Sequence, residues 1–184
     1  HLRRDWLKLL GESGQWELFD TELPGLVNED LELTCYALQA RTRNDTLALR
    51  EARPLWFVAR TLPASCTPLF EALVGTGQLS VEDVWIRVRL ALEEGQVGLA
   101  NRVAAFLPAG QAPDARTLAA ISGNPAGHLV NLKLDPRNRG AREAAMFAVY
   151  RLARTSPSQA AVHWVKLAPR FGEDERAYVW GMIG

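Results

Sequence analysis

The stretch from Leu79 to Pro108 constrains the fold most, because it reads as two helices joined by a tight turn. Ser80 and Asp83 stand three residues apart, which is the spacing of an N-terminal capping pair. Gly95 lies where a left-handed residue ends a helix without steric cost. Pro108 then stops the second helix. The stretch therefore predicts a helix hairpin.

The first helix of this hairpin carries apolar residues on two sides. Val84, Trp85 and Val88 recur at helical spacing on one face, and Ile86 and Leu90 lie near the opposite side. Such a helix needs packing partners on both sides, and hairpins buried in front and behind are the units of α-solenoids. A closed helical bundle that contains one such hairpin is the alternative.

Capping and breaking signals predict further helices along the rest of the chain, and no segment reads as a strand. These predicted helices cover 2–10 with Trp6, Leu9 and Leu10 inward, 15–23, a segment capped by Asn28, 46–60 with a break near Arg53, 68–74, 114–121, 125–134, 141–154, a segment starting at Ser156 and one after Gly172. Gly-Gln pairs at 14, 77 and 95 and Leu-Pro pairs roughly forty residues apart form a weak internal repeat. The repeat favours the solenoid over the closed bundle.

Charge and hydropathy exclude several partners. The chain has 21 Lys and Arg against 21 Asp and Glu, so no global field draws it to nucleic acid or to an anionic membrane. No run of 18 apolar residues predicts a membrane span. The chain opens directly on an amphipathic helix without a signal peptide, so we expect an excised piece or a mature product.

Residues with reactive or metal-binding side chains form no known motif. Cys35 and Cys66 are the only cysteines, and the residues alone leave open whether they are two buried thiols or one disulfide. The histidines, His1, His128 and His163, belong to no catalytic or zinc pattern. The six tryptophans stand at helical spacing and are interpreted as core residues rather than sugar platforms. The sequence thus predicts no catalytic, cofactor-binding or metal-binding residue.

Four segments occur in an order that resembles one protein family. They are 35–37 (Cys-Tyr-Ala), 52–56 (Ala-Arg-Pro-Leu-Trp), 63–70 (Pro-Ala-Ser-Cys-Thr-Pro-Leu-Phe) and 85–91 (Trp-Ile-Arg-Val-Arg-Leu-Ala). In this order they resemble the soluble lytic murein transglycosylases. The resemblance runs from about residue 1 to residue 130 and concerns the superhelical region that precedes the catalytic domain.

The resemblance implies a periplasmic enzyme that cleaves the β-1,4 bond between N-acetylmuramic acid and N-acetylglucosamine and leaves a 1,6-anhydro end. One glutamate of a lysozyme-like domain serves in the family as general acid and then base, in a Glu-Ser pair with a Gly-Leu-Met-Gln motif downstream. This sequence has no Gly-Leu-Met-Gln, and its Glu12-Ser13 pair follows the first helix, so we assign it no catalytic role. The resemblance also implies a disulfide between Cys35 and Cys66.

We therefore predict an all-α, right-handed superhelix of stacked helix hairpins, a single region over 1–184 with 1–108 and 114–184 as sub-segments. Its predicted function is that of a non-catalytic periplasmic scaffold, without a cofactor, whose partners are glycan strands, its own catalytic domain and other cell-wall proteins. The competing hypothesis is a tetratricopeptide-like or HEAT-like interaction solenoid without sugar chemistry. An arginine-lined concave face would favour glycan, and an apolar groove would favour a peptide partner.

Overall fold

The computed structural model describes residues 2–26 and 30–184, and every regular element within them is helical. This confirms the predicted all-α class. The chain packs as two compact units, unit 1 over residues 1–83 and unit 2 over residues 84–184. The division falls inside a helix, whereas the sequence suggested sub-segments on either side of the linker at 109–113. That 1–184 forms one superhelical region stays a prediction.

In its described residues, unit 1 contains four complete α-helices and three 3-10 segments. They are α1 (Leu2–Glu12), α2 (Trp16–Glu22), α3 (Leu31–Thr42) and α4 (Thr67–Gly75), with 3-10 turns over Leu23–Gly25, Thr46–Trp56 and Ala64–Cys66. The cap of α3 is Asp30, whose carboxylate accepts a hydrogen bond from the Leu33 backbone N–H at 3.0 Å. The predicted cap, Asn28, lies outside the described residues.

The core of unit 1 shows that α1 faces its neighbours differently from the prediction. Leu7 and Leu10 are fully buried, whereas Trp6 and Leu9 are 44% and 53% exposed. Gly11 does not break α1 but lies inside it, against the Tyr36 ring, where a β-carbon would overlap the ring atoms. Helix α1 therefore lies against α3 at Gly11, where the absence of a side chain leaves room for the Tyr36 ring. The core cluster consists of Leu7, Leu10, Phe19, Leu33, Tyr36 and Ala40.

The segment 46–56 consists of consecutive 3-10 turns rather than the predicted helix with a break. Asp45 begins it by accepting a hydrogen bond from the Leu47 N–H at 2.9 Å. Pro54 lies inside it and has no N–H to donate. The segment ends at Trp56, which is fully buried and meets the Phe70 ring edge-on at 5.0 Å.

The Gly-Gln pairs of the weak repeat are helix C-caps. Gly14, Gly77 and Gly95 have φ angles of 70°, 73° and 70°. The N–H of each following glutamine donates to the carbonyl five residues earlier at 2.8–2.9 Å, which is the Schellman pattern. Each pair therefore stops a helix by the same local mechanism, and glycine is required because the backbone is left-handed there.

The predicted capping pair at the start of α5 (Val81–Glu93) is confirmed. The Ser80 N–H donates to the Asp83 carboxylate at 2.9 Å, and the Asp83 N–H donates to the Ser80 hydroxyl at 3.1 Å. The prediction that α5 buries apolar residues on two sides is wrong in one respect. Ile86 is 45% exposed, and the buried residue at that side is Arg87.

Unit 2 is built on α9. Its helices are the rest of α5, α6 (Val97–Ala104), α7 (Ala115–Gly123), α8 (Pro125–Val130), α9 (Arg139–Ala153), α10 (Pro157–Leu167) and α11 (Glu173–Ile183). Helices α7, α8, α10 and α11 all pack on α9. Small buried residues on α9, among them Ala144, Ala145 and Ala148, allow this close approach on several sides.

Helix α10 matches the prediction only partly. Pro157 is its first residue, but the Ser156 hydroxyl makes no capping hydrogen bond. Trp164 is fully buried against Phe171, with ring centroids 4.7 Å apart, whereas Val165, expected on the same face, is 60% exposed. None of the helices in the described residues combines the length and the hydrophobicity needed to cross a bilayer.

Candidate functional site

An open groove of about 380 Å³ lies on unit 1. The end of α3, the 3-10 segment 46–56 and α4 form its walls, and Trp16 of α2 lies at one side. We call it the Trp16 groove. The polar and aromatic side chains that line it are Trp16, Gln39, Thr42, Arg43, Thr46, Thr76 and Gln78.

A disulfide holds two walls of this groove together. Cys35 of α3 and Cys66, directly before α4, are joined, with their α-carbons 5.0 Å apart. The Ser65 hydroxyl donates to the Glu32 carbonyl at 3.0 Å, and Gln39 Nε2 donates to the Ser65 carbonyl at 2.5 Å. The disulfide implied by the family resemblance is thus present, and it fixes the spacing of the walls in the free protein.

The third side of the groove is fixed by the Schellman closure at Gly77. Gln78 Nε2 donates to the Thr76 hydroxyl at 3.1 Å, and Arg53 Nε donates to the Gln78 carbonyl at 3.0 Å. Arg53 also forms an ion pair with Asp83 at 3.1 Å. Burial alone raises the pKa of the Asp83 carboxyl, but hydrogen bonds from Ser80 and Arg53 outweigh it and hold that pKa below its usual value.

Two side chains in the groove keep unused donors. Arg43, at the C-terminus of α3, is exposed, and its guanidinium makes no ion pair or hydrogen bond with the described residues. Trp16 is half-buried, with its ring 6.0 Å from Phe19 and 6.5 Å from Tyr36, and its indole N–H has no partner within the same part of the chain. None of the described residues that line the groove is acidic. The groove therefore offers an aromatic surface, a free N–H and an uncompensated cation.

A second groove of about 580 Å³ lies on unit 2 and is also polar. Asp114 and Asn138 line it, but Asp114 Oδ2 and Asn138 Oδ1 already accept hydrogen bonds from the first turns of α7 and α9. His128 also lines it, and burial lowers the pKa of its imidazole. Its described lining contains one cationic residue, Lys133, and one acidic residue, Asp114, so the charges of the lining cancel.

The most buried carboxylate of unit 2 is Glu143, which is 2% exposed. Two hydrogen bonds of 2.8 Å join it to Arg89, and Arg139 Nε lies 3.4 Å away. The Arg89 guanidinium also covers the Tyr178 ring at 4.5 Å, and burial together with a hydrogen bond to Glu93 raises the pKa of that tyrosine. Glu143 is therefore a buried structural ion and cannot reach the glycosidic oxygen of a bound sugar.

The other candidate residues are scattered. In the Glu12-Ser13 pair, the Ser13 hydroxyl donates a hydrogen bond to the Leu9 carbonyl at 2.7 Å. His128 and His163 are half-buried and 35 positions apart in the sequence, and His1 lies outside the described residues. Within 2–26 and 30–184, no three His, Cys, Asp or Glu side chains cluster to form a metal site.

Sequence reasoning did not single out the groove. Trp16 was interpreted as a core residue, Gln39 and Arg43 belong to no motif, and Gln78 was noted only as part of the Gly-Gln pair at 77. These residues come from separate elements, and only the packing of α2, α3 and α4 brings them to one surface. Three sequence signals lay close to the site: the Cys35–Cys66 pair, the Gly-Gln pair at 77, and the family-like segment 63–70, which includes Pro68 and Leu69.

No model of a protein family matches the chain. Individual proteins do. The chain is 25% identical over 158 residues to the soluble lytic murein transglycosylases of Escherichia coli K12 and Salmonella typhimurium LT2. The match covers 86% of this chain but only 23% of each relative.

Solved structures give the same result. An inactive mutant of the lytic transglycosylase Slt from Pseudomonas aeruginosa matches 99% of this chain with 26% identity and a TM-score of 0.64. The 70 kDa soluble lytic transglycosylase of E. coli has the same fold, with a TM-score of 0.67 and 22% identity. This chain covers 30% of each of these structures. The chain is therefore homologous to one region of the soluble lytic murein transglycosylases, a region that makes up about a quarter of their length.

Proposed function

We propose that this chain is the non-catalytic helical scaffold of a periplasmic lytic transglycosylase, and that it holds the catalytic domain and guides the glycan strand. The observation that carries this proposal is the match of 99% of the chain to 30% of a lytic transglycosylase structure at 26% identity. A match of that kind supports a role as one region of a larger peptidoglycan enzyme.

The residues of the chain support a role other than bond cleavage. Lytic cleavage needs a carboxylic acid within hydrogen-bond reach of the glycosidic oxygen. The Glu12-Ser13 pair ends a helix with its hydroxyl bonded to backbone, and Glu143 is buried beneath Arg89. The Gly-Leu-Met-Gln motif that the resemblance leads us to expect in a catalytic domain does not occur in the 184 residues.

The disulfide supports the proposed compartment. Disulfides persist in oxidising environments such as the bacterial periplasm and are rare in the cytosol. The Cys35–Cys66 bridge joins α3 to the start of α4, where it fixes the Trp16 groove. A scaffold that presents a surface to a long polymer gains from such rigidity, because less conformational entropy is lost on binding.

A protein-interaction solenoid is the second candidate, and one observation favours it. The outer face of α1 presents Leu2, Trp6 and Leu9, which are 88%, 44% and 53% exposed. They stand four and three residues apart and so form one apolar row on the helix. A row of this kind is typical of a protein contact rather than of a glycan contact.

The proposal predicts binding to peptidoglycan without cleavage. The chain is incubated with purified murein sacculi, the sacculi are sedimented, and the soluble products are separated by chromatography. We expect the chain to co-sediment and to release no 1,6-anhydro muropeptides above a blank. Release of such products would contradict the non-catalytic assignment, and failure to co-sediment would favour the interaction solenoid.

A further inference from the structure

The Trp16 groove has the composition of a binding site for a sugar that carries a carboxylate. We propose that it binds a muramyl peptide of peptidoglycan, with an N-acetylated sugar at Trp16 and a stem-peptide carboxylate at Arg43. This inference rests on the proposed function, and it adds the ligand class and the residues that recognise it. A groove of about 380 Å³ is within the range of small-ligand sites.

Trp16 supplies the apolar surface and one donor. Its ring is anchored by the aromatic contacts with Phe19 and Tyr36, while the half-exposed remainder lines the groove. The left-handed Gly14 precedes it closely, and the Trp16 N–H donates to the Gly14 carbonyl at 2.9 Å, which fixes the backbone that carries the ring. The indole N–H without a partner suits the acetamido carbonyl of an N-acetylated sugar.

Arg43 supplies the charge. The other arginines near the groove are occupied, since Arg41 pairs with Glu51 at 2.6 Å and Arg53 with Asp83 at 3.1 Å. Arg43 has no acidic partner among the described residues, and no acid lines the groove. A guanidinium binds a carboxylate through two parallel hydrogen bonds, so an anionic ligand group matches Arg43.

Two amide side chains of the groove lining, Gln39 and Gln78, supply acceptors. Gln39 uses Nε2 on the Ser65 carbonyl, and Gln78 uses Nε2 on the Thr76 hydroxyl. Each glutamine therefore keeps its Oε1 free of partners within the described part of the chain. These two oxygens can accept hydrogen bonds from the N–H groups of an acetamide or of a stem peptide.

Other ligand classes match the groove less well. A neutral chitin-type sugar leaves Arg43 without a counterion. Nucleic acid draws its affinity from rows of Lys and Arg along the phosphate backbone, and the groove lining contains one arginine. A free peptide uses Arg43 but leaves the face of Trp16 uncovered. The muramyl peptide is the ligand that engages both Trp16 and Arg43.

The first experiment measures the affinity of the full chain for a purified disaccharide tetrapeptide, N-acetylglucosaminyl-N-acetylmuramyl tetrapeptide, by isothermal titration calorimetry. Arg43→Gln should weaken binding by about tenfold or more, because it removes a charge-assisted hydrogen-bonded pair. The matched control is Arg50→Gln. Arg50 is an exposed arginine of the same unit, has no partner among the described residues and does not line the groove, so its variant should bind like the wild type.

The second experiment tests the proposed contact between the sugar and Trp16. Trp16→Phe keeps an aromatic ring against Phe19 and Tyr36 but removes the indole N–H and part of the surface. We expect unchanged thermal stability and an affinity several-fold lower. Chitobiose and the free tetrapeptide serve as further probes, and each should bind the wild type at least about tenfold more weakly than the complete ligand, because each lacks one of the two contacts.

The outcomes separate this inference from the proposed function. If the chain co-sediments with sacculi but Arg43→Gln and Arg50→Gln bind the muropeptide equally, the groove is not the site and the scaffold function stands. If chitobiose or the free tetrapeptide binds as tightly as the complete ligand, the muramyl-peptide assignment is wrong. If the chain binds neither sacculi nor muropeptide, both proposals fail.

Discussion

Asp83 combines three contacts within a single residue. Its carboxylate caps α5 by accepting the Ser80 N–H at 2.9 Å and pairs with Arg53 at 3.1 Å. Its carbonyl accepts the Trp56 indole N–H at 2.8 Å. Because Arg53 also holds the Gln78 carbonyl, the charge of Asp83 stabilises one edge of the Trp16 groove.

The lowered pKa of Asp83 predicts a stability that depends on pH. A carboxyl whose pKa is lower in the folded than in the unfolded chain stabilises the fold fully above its unfolded pKa of about 3.9. That contribution is lost as the pH falls through the lower, folded pKa. Asp83→Asn, which keeps a capping oxygen, should cost about 1–2 kcal/mol at pH 7 and progressively less below about pH 4.

Urea unfolding of both proteins at pH 7, 4 and 3 measures this difference. The gap between wild type and variant should close as the pH falls. A gap that remains constant down to pH 3 would show that the carboxylate charge contributes nothing and that only the shape of the side chain matters.

Trp85 is a core residue and not a sugar platform. It is 1% exposed, and the Arg139 guanidinium covers its ring at 5.0 Å. Trp85→Ala should therefore lower the free energy of unfolding by about 3–5 kcal/mol through the cavity that it leaves. The matched control is Trp180→Ala, since Trp180 lies in the same unit and is 43% exposed.

Urea titration of the two variants beside muropeptide binding distinguishes the two roles of a tryptophan. We expect a large loss of stability for Trp85→Ala and a small one for Trp180→Ala. Unchanged stability with weakened binding in Trp85→Ala would contradict the core assignment and move Trp85 to a functional surface.

At the scale of elements, the disulfide ties α3 to the start of α4 across 31 positions of the sequence. In the chain-entropy account, closing a loop of this length in the unfolded state is worth about 3–4 kcal/mol. We therefore expect reduction to lower the free energy of unfolding by about that amount, and to weaken muropeptide binding because the walls of the Trp16 groove lose their fixed spacing.

The control is a double variant, Cys35→Ala with Cys66→Ala. A reducing agent should not change its stability, because it has no disulfide to reduce. Thiol titration of the unfolded, unreduced wild type should find no free thiol. Two titratable thiols in that sample, or equal melting temperatures with and without reductant, would contradict the bridge.

At the scale of the whole molecule, equal numbers of acidic and basic residues leave the chain with no net charge. Several charged side chains form ion pairs within the chain, as Arg89 does with Glu143 and Lys8 with Asp30 and Glu32. A charged ligand is therefore recognised by individual unpaired groups such as Arg43 rather than by an extended field. This suits a surface that contacts one repeating unit of a polymer at a time.

The sequence by itself determined where several helices begin and end, and that the fold is all-α. The Ser80–Asp83 capping pair, the glycine C-caps at 14, 77 and 95 and the all-α class depend on hydrogen bonds between residues at most five positions apart. Such bonds can be recognised from spacing alone, because their geometry is the same in every helix. The family resemblance added the Cys35–Cys66 bridge, which the residues alone had left open.

Only the tertiary structure decided which sides of these helices are buried. Trp6 and Leu9 face outward while Gly11 meets Tyr36, and Ile86 is exposed while Arg87 is buried. Apolar residues surround α1 and α5 on more than one side, so periodicity does not select the buried face; the shape of the neighbouring helix does. The Trp16 groove arises for the same reason, because Trp16, Arg43 and Gln78 share a surface only after α2, α3 and α4 have packed.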